Sequence, residues 1–367
     1  MDEQFLIQDT RHLEDFKDKT FSGFKKTDVI KTLFKSIETG KVENACHWLT
    51  ECMVSGYCID ILDKLINFSS KIIHINNPCL PKYLWRKYHY FFTTINNINL
   101  KKQKHLCIHF RNNQVLRNLF FDIVSVITCS PKTKRYDKYP KINDQEDFNF
   151  TNIQKRLCAQ MNILPGHIIH FNDPDELRII INEIFTLLKN KQFGYDKCCY
   201  WILWLMRYEA IHKKKKTPWI IDEREIEGIP KKYRGNIVWI LWDIIFEEMK
   251  LRSNQQIKKQ INSLYELYKC NYTVGKRAAR VSILFNAIGY LTHQISFKSP
   301  VRNDYKLFIQ VQSNVNKMFG SKKKNEVKAL TDIQKVVQKP PKKENINVEI
   351  IQDKIGIFNE IDRIIMN

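Results

Sequence analysis

Apolar residues recur at helical spacing along most of the chain, and this pattern predicts an all-α protein. Val29 and Leu33 begin the first of these apolar stripes, four residues apart. Gly40 and Gly56 then divide the following residues into three stripes, because glycine commonly ends a helix. Each stripe must be buried against another, so residues 27–130 are predicted to form a helical bundle.

The remaining pattern predicts how the chain is divided. Residues 1–26 are polar with few apolar anchors and are predicted to form an N-terminal arm. Residues 131–151 are polar, contain prolines and lack a sustained period, which is typical of a linker. A second, basic helical lobe is predicted over 152–319, a flexible basic linker over 320–347, and an amphipathic C-terminal helix over 348–367. That last helix could dock on its own fold or in a groove of a partner.

The second lobe repeats features of the first. Residues 184–202 echo residues 33–49: an apolar stretch, a polar turn, then cysteine and tryptophan close together. The fold hypothesis is therefore two helical-bundle lobes related by duplication. Two unrelated amphipathic hairpins would give the same pattern, so this alternative stays open.

Part of the first lobe is similar to a known family. The run Asn44–Leu49, the break at Ser55-Gly56 and the segment from Ile61 to Ser70 resemble the C-terminal helical collar of clamp-loader-like AAA+ ATPases. The similarity is to the replication-associated recombination and Werner-helicase-interacting type. This resemblance implies a helical collar of the kind that holds subunits in a ring. The sequence contains no G-x-x-x-x-G-K-[ST] phosphate loop, so it lacks the ATPase motif of that family.

Charge points to the class of partner. The chain has 60 Lys and Arg against 39 Asp and Glu, and its formal net charge is +21. Such a protein attracts polyanions, so nucleic acid, and DNA in particular, is the first candidate partner. With its Lys-, Ile- and Asn-rich composition, the chain also resembles helical proteins of the nucleocytoplasmic large DNA viruses. That resemblance implies a place in the host cytoplasm (the virus factory), the nucleus or the virion.

Much of the charge is concentrated late in the chain. Residues 250–344 hold twenty Lys or Arg against five Asp or Glu, a surplus of fifteen. Within them Lys276, Arg277 and Arg280 mark the start of a predicted helix, where cations oppose the helix dipole unless an anion neutralises them. A nucleic-acid phosphate would do so. Acidic side chains elsewhere in the fold would serve equally well.

Two further basic runs complete the predicted interface. One stands at a predicted helix end, where lysines also suit the helix dipole, and the other begins the predicted basic linker. The candidate nucleic-acid-binding residues are Lys213, Lys214, Lys215, Lys216, Lys276, Arg277, Arg280, Lys322, Lys323 and Lys324. Aromatic residues near Tyr88 and Phe92 could stack on nucleobases, although their spacing equally suits a core.

Chemistry-bearing motifs are missing. The sequence has no nucleophile elbow, H-E-x-x-H, dinucleotide fingerprint or kinase loop, so neither an enzyme nor a cofactor is predicted, although a site with dispersed acids stays open. The acids between Asp222 and Glu227 are interpreted as a solvated loop rather than a metal site. Ten cysteines without a C-x-x-C pair indicate buried free thiols in a reducing compartment. Neither a signal peptide nor a membrane span is expected.

The sequence therefore predicts a non-enzymatic nucleic-acid-binding accessory protein, acting on viral DNA in replication, repair or transcription. Its expected partners are nucleic acid and viral replication, transcription or virion proteins, and homo-oligomerisation is left open. The alternative is a structural virion or scaffold protein that contacts packaged DNA or capsid partners.

Overall fold

Helices account for nearly all the regular structure. The computed structural model describes residues 3–96, 108, 110–133, 141–191, 193–302 and 304–327. These residues contain no β-strand, apart from one isolated bridge between Lys19 and Lys25. The all-α prediction is confirmed for this part of the chain. The helices are α1 (Lys26–Glu38), α2 (Val42–Val54), α3 (Cys58–Ile72), α4 (Leu80–Asn96), α5 (Gln114–Cys129), α6 (Phe150–Arg156), α7 (Glu176–Leu188), α8 (Gly194–Lys214), α9 (Ile237–Lys250), α10 (Gln255–Lys269), α11 (Arg277–Thr292) and α12 (Tyr305–Gly320).

Local sequence explains many helix ends. Gly40 and Gly56 follow α1 and α2 with φ angles of 73° and 79°, a conformation that glycine adopts without strain. Several helices begin at a side chain that accepts a hydrogen bond from a backbone N–H of the first turn, which satisfies one otherwise unpaired donor. These capping residues include Asn113, Asn236, Asn254 and Asp304.

Two helices lie deepest in the core. In α5, Phe120, Phe121 and Ile123 are fully buried, and the helix packs on α1, α2, α4 and α12. In α11, Ile283, Leu284 and the residues that follow them are buried, and the helix packs on α3, α7, α8, α9 and α10. Helices that are apolar around most of their circumference are expected at such central positions.

Early and late helices are interleaved. Helix α11 packs on α3, α10 on α4, and α12 on α5. Apart from residues 8–10, the chain as far as Glu326 forms one compact unit. The predicted linker at 131–151 therefore does not separate two compact units. In the described part of that segment, Asp147 is buried and accepts hydrogen bonds from Tyr200 and Trp204 at 2.9 and 2.7 Å. Those bonds tie the predicted linker to α8.

The predicted N-terminal arm is also packed. Phe16 and Phe21 are each only 1% exposed, and the backbone amide of Phe21 donates to Ser55 Oγ at 2.8 Å. Residues 11–26 therefore contribute to the core of the compact unit. The segment has few apolar side chains, so its largely polar sequence did not predict that those few are buried.

A second, smaller unit comprises Gln8–Thr10 and Val327–Asn367. In its described part, the amide and hydroxyl of Thr10 donate to Val327 O at 3.2 and 3.0 Å. The predicted C-terminal helix and residues 328–347 of the predicted basic linker lie outside the described residues. The duplication stays a prediction, although α1 with α2 and α7 with α8 do form two contacting helix pairs.

Candidate nucleic-acid interface

The last turn of α8 and the residues after it present the run Lys213–Lys216, whose four side chains are all exposed. The amide of Thr217 donates to His212 O at 3.0 Å and that of Lys216 to Lys213 O at 3.3 Å, which is the Schellman pattern of helix termination. Lys216 has a φ of 60°, in the left-handed region. The run therefore surrounds a helix C-terminus, where the dipole favours positive charge.

These lysines lack acidic partners. Within the described ranges no carboxylate forms an ion pair with any of the four ammonium groups. Asp144 interacts electrostatically with Lys214, but both of its carboxylate oxygens accept hydrogen bonds from Arg207. Its pKa lies below the ordinary value, first because of the Arg207 hydrogen bond and to a smaller extent because of Lys214. The run is therefore free to attract an external anion.

Three partly exposed aromatic rings adjoin the run. The ring centroid of Tyr208 lies 4.6 Å from that of His212 and 5.3 Å from that of Trp219. Trp219 is held by a hydrogen bond from its Nε1 to Glu176. Aromatic faces beside lysine ammonium groups are the combination by which many proteins hold single-stranded nucleic acids.

Sequence reasoning did not identify this ring cluster beside the lysines. The pattern that could have shown it is a four-residue repeat along one face of α8. The repeat consists of Tyr200, Trp204, Tyr208 and His212.

The basic group at the start of α11 lies in ion pairs. Arg280 is 1% exposed; its guanidinium donates to Asp63 at 2.7 Å and to Tyr268 O at 2.6 Å. Lys276 Nζ lies 3.4 Å from the same Asp63. Arg277 pairs with Glu209. The cations are thus neutralised by carboxylates of the protein itself, which was the alternative interpretation of this cluster.

Burial affects the chemistry of that group. Burial by itself would lower the pKa of Arg277, but the hydrogen bond and the charge of Glu209, together with smaller contributions from Tyr272 and Tyr268, offset it and leave the pKa above the ordinary value. The guanidinium therefore stays charged and committed to Glu209. Arg277 and Arg280 would bind a phosphate only by giving up partners in a site shielded from water.

The three lysines of the third basic run, Lys322 to Lys324, differ in burial. Lys322 is 4% exposed and its Nζ lies 2.8 Å from Oε2 of Glu51, which is fully buried. Burial alone would raise the pKa of Glu51, but hydrogen bonds, with that from Lys322 the largest, bring it below the ordinary value. Lys323 donates to Glu3 O at 3.3 Å, and Lys324 is exposed. Lys322 is therefore a core residue rather than part of a flexible interface.

The segment 222–227 combines exposed acidic side chains with one buried basic side chain. Glu223, Glu225 and Glu227 are exposed, as expected of a loop. Arg224, however, is buried and pairs with Asp173, with Nη1 at 2.9 Å from its Oδ1. Across the ranges that the structure describes, no three His, Cys, Asp or Glu side chains are grouped to hold a metal ion.

Most cysteines match their prediction. Nine are described and all are free thiols; Cys46, Cys52, Cys58, Cys198 and Cys199 are buried, three others are intermediate, and Cys158 is exposed. Burial raises the pKa of Cys46 to about 12, so this thiol stays protonated and unreactive. Among the described helices none is long and apolar enough to cross a membrane.

The chain was compared with known proteins at the level of sequence and of fold. No protein-family model, curated protein or solved structure matches it.

Proposed function

We propose that the protein is a non-enzymatic nucleic-acid-binding accessory protein that holds the phosphate backbone through Lys213–Lys216. The observation that carries this proposal is the contrast between this exposed, unpaired run and the other predicted clusters, whose cations are largely bonded within the fold. Four lysines around one helix end give a dense positive patch without a fixed geometry for reading base edges. Binding is therefore expected to be independent of sequence.

Two further observations support nucleic acid over an acidic protein. The net charge of +21 favours a long polyanion, since it adds long-range attraction to local contacts. The Tyr208–His212–Trp219 cluster places aromatic faces beside the lysines, which an unpaired strand can use for stacking. The compositional resemblance to large DNA virus proteins supports a role in replication, repair or transcription of viral DNA, in the cytoplasmic factory or the nucleus.

A salt titration tests the proposal. Affinity for single-stranded and duplex oligonucleotides is measured by fluorescence anisotropy between about 50 and 200 mM salt, where phosphate contacts weaken steeply. Each lost contact lowers the slope of log K against log salt by about 0.7 to 0.9. Replacing Lys213, Lys214, Lys215 and Lys216 by alanine should therefore reduce the slope by about 3 on any sequence.

The matched control removes the same charge elsewhere. Lys31, Lys41, Lys155 and Lys298 are exposed and dispersed, so their fourfold alanine variant tests net charge without the patch. A slope change in the control as large as in the 213–216 variant would show that the patch is not the interface. Absence of oligonucleotide binding by the unmodified protein would overturn the proposal and favour the scaffold alternative.

A further inference from the structure

A cleft of about 840 Å³ opens on another part of the compact unit. Its walls are residues 13–17, Lys26 at the start of α1, residues 56–63 at the start of α3, the second half of α4 and the segment that precedes α11. Clefts of this size are typical of sites for small molecules. The cleft takes no part in the proposed lysine interface, since none of residues 213–216 lines it.

One wall is apolar and partly flat. Phe92 packs against Tyr88 with ring centroids 4.5 Å apart, and both side chains line the cleft. Ile59 lines it as well and is 39% exposed, which is unusual for a large apolar side chain of α3. The hydroxyl of Tyr88 accepts a hydrogen bond from Asn271 Nδ2 at 3.2 Å, which fixes the ring's orientation. A planar apolar group could pack against this wall.

The lining of the cleft carries three lysines and three carboxylates, and further cations behind the lining bond to two of those carboxylates. Its acids are largely matched, because Asp63 bonds Arg280 and Lys276, and Asp60 bonds Lys64. Counting the lining and these partners gives five basic and three acidic side chains, so two positive charges remain. The eight residues are Glu14, Lys17, Lys26, Asp60, Asp63, Lys64, Lys276 and Arg280.

Two lysines stand out in that lining. Lys17 is exposed, and its ammonium group is not paired with a carboxylate of the described residues. Lys26 places its Nζ 4.2 Å from the centroid of the Tyr57 ring, a cation–π contact that orients the ammonium group without neutralising its charge. Both residues line the cleft together with Phe92 and Ile59.

The lining also contains an unusual backbone conformation. Asn271 has a φ of 46°, which costs free energy for a residue other than glycine. Its side chain holds Tyr88, so the strained residue helps to shape the cleft wall.

We propose that this cleft binds a nucleotide, with the base against Phe92 and Ile59 and the phosphate at Lys17 and Lys26. A nucleotide combines the two properties that the walls require, a flat apolar body and an anionic end. Its source is either a free nucleotide or the phosphorylated end of a nucleic-acid strand. The lysine interface could fail its test without affecting this proposal, since the two sites share no residues.

Ligand dissection by calorimetry on the full chain is the first test. Adenosine 5′-monophosphate should bind at least about tenfold more tightly than adenosine, which lacks the anion, or pyrophosphate, which lacks the base. Displacement of this ligand by a 5′-phosphorylated oligonucleotide would identify the strand end as the source; failure to displace it would identify the free nucleotide. Equal affinity for all three small ligands, or no binding, would overturn the proposal.

A charge pair at one position is the second test. Ile59→Glu and Ile59→Lys remove the same apolar contact from a partly exposed site but differ in charge. The Glu variant should bind the monophosphate about tenfold more weakly than the Lys variant. Lys17→Ala should also weaken binding, whereas Lys31→Ala, an exposed site outside the cleft, should not. Equal affinities of the two Ile59 variants would exclude recognition of an anion in this cleft.

Discussion

The end of α8 and the start of α11 look alike in sequence and differ in structure. Each carries several basic residues at a helix terminus. At the end of α8 the lysines are exposed and lack acidic partners among the described residues, whereas the three basic residues at the start of α11 bond to Asp63 and Glu209. The helix dipole explains the difference, because it stabilises cations at a C-terminus and disfavours them at an N-terminus. A basic run at a helix N-terminus is therefore better evidence of ion pairs within the fold than of an external ligand.

The largest effect that would test this comparison is on folding stability. Arg280→Met removes a buried cation and leaves Asp63 with Lys276 alone, so the free energy of unfolding in urea should fall by about 3 kcal/mol. Lys214→Met, an exposed lysine at the other helix end, should change it by less than about 0.5 kcal/mol. Similar losses in the two variants would show that the basic residues at the start of α11 contribute no more to folding stability than those at the end of α8.

A smaller effect is expected from pH, at the third basic run. The folded pKa of Glu51 lies below the ordinary value of 4.5, so the stability that this carboxylate contributes is present above pH 4.5 and is lost as pH falls through the folded pKa. Glu51→Gln should remove that part of the acid sensitivity, so its free energy of unfolding should fall less steeply than that of the unmodified protein between about pH 6 and 3. Urea unfolding at several pH values measures it, and Glu43→Gln, an exposed site, is the control. Parallel stability curves for the unmodified protein and Glu51→Gln would contradict the pairing with Lys322.

The smallest effect concerns the helix dipole itself. Replacing Lys213 and Lys214 by glutamate reverses the charge at the end of α8 and should lower the free energy of unfolding by about 0.5–1 kcal/mol at low salt. The matched glutamine pair should lose about half as much. Thermal unfolding at low and high salt checks both, and a loss that high salt does not reduce would argue against an electrostatic origin.

Local patterns predicted the helices well. The helix stops at Gly40 and Gly56 are confirmed, because the periodicity and the helix-ending residues that define them lie within a few positions. The apolar pattern predicts a helix from residue 104, whereas α5 begins at Gln114. Its early apolar residues include Phe110, which is buried in the core without being part of that helix.

The candidate site was less accessible to sequence reasoning. Asp63 and Arg280 are 217 residues apart, and no local pattern links a carboxylate on α3 to a guanidinium on α11. The same holds for Glu51 and Lys322. Net charge therefore predicted more unpaired cations than the structure contains. Of the three predicted basic clusters, only the run 213–216 has every side chain exposed. The cleft was missed for the same reason, since five separate segments form its walls.

The bonds of Glu51 have a consequence for synthesis of the chain. This carboxylate accepts hydrogen bonds from the amide and hydroxyl of Ser22 at 2.7 and 2.8 Å, but its counter-charge is Lys322. While the nascent chain is still on the ribosome, α2 must hold a carboxylate in an apolar environment without that cation, which is unfavourable. Native packing around α2 is therefore expected to be completed only after residue 322 has emerged.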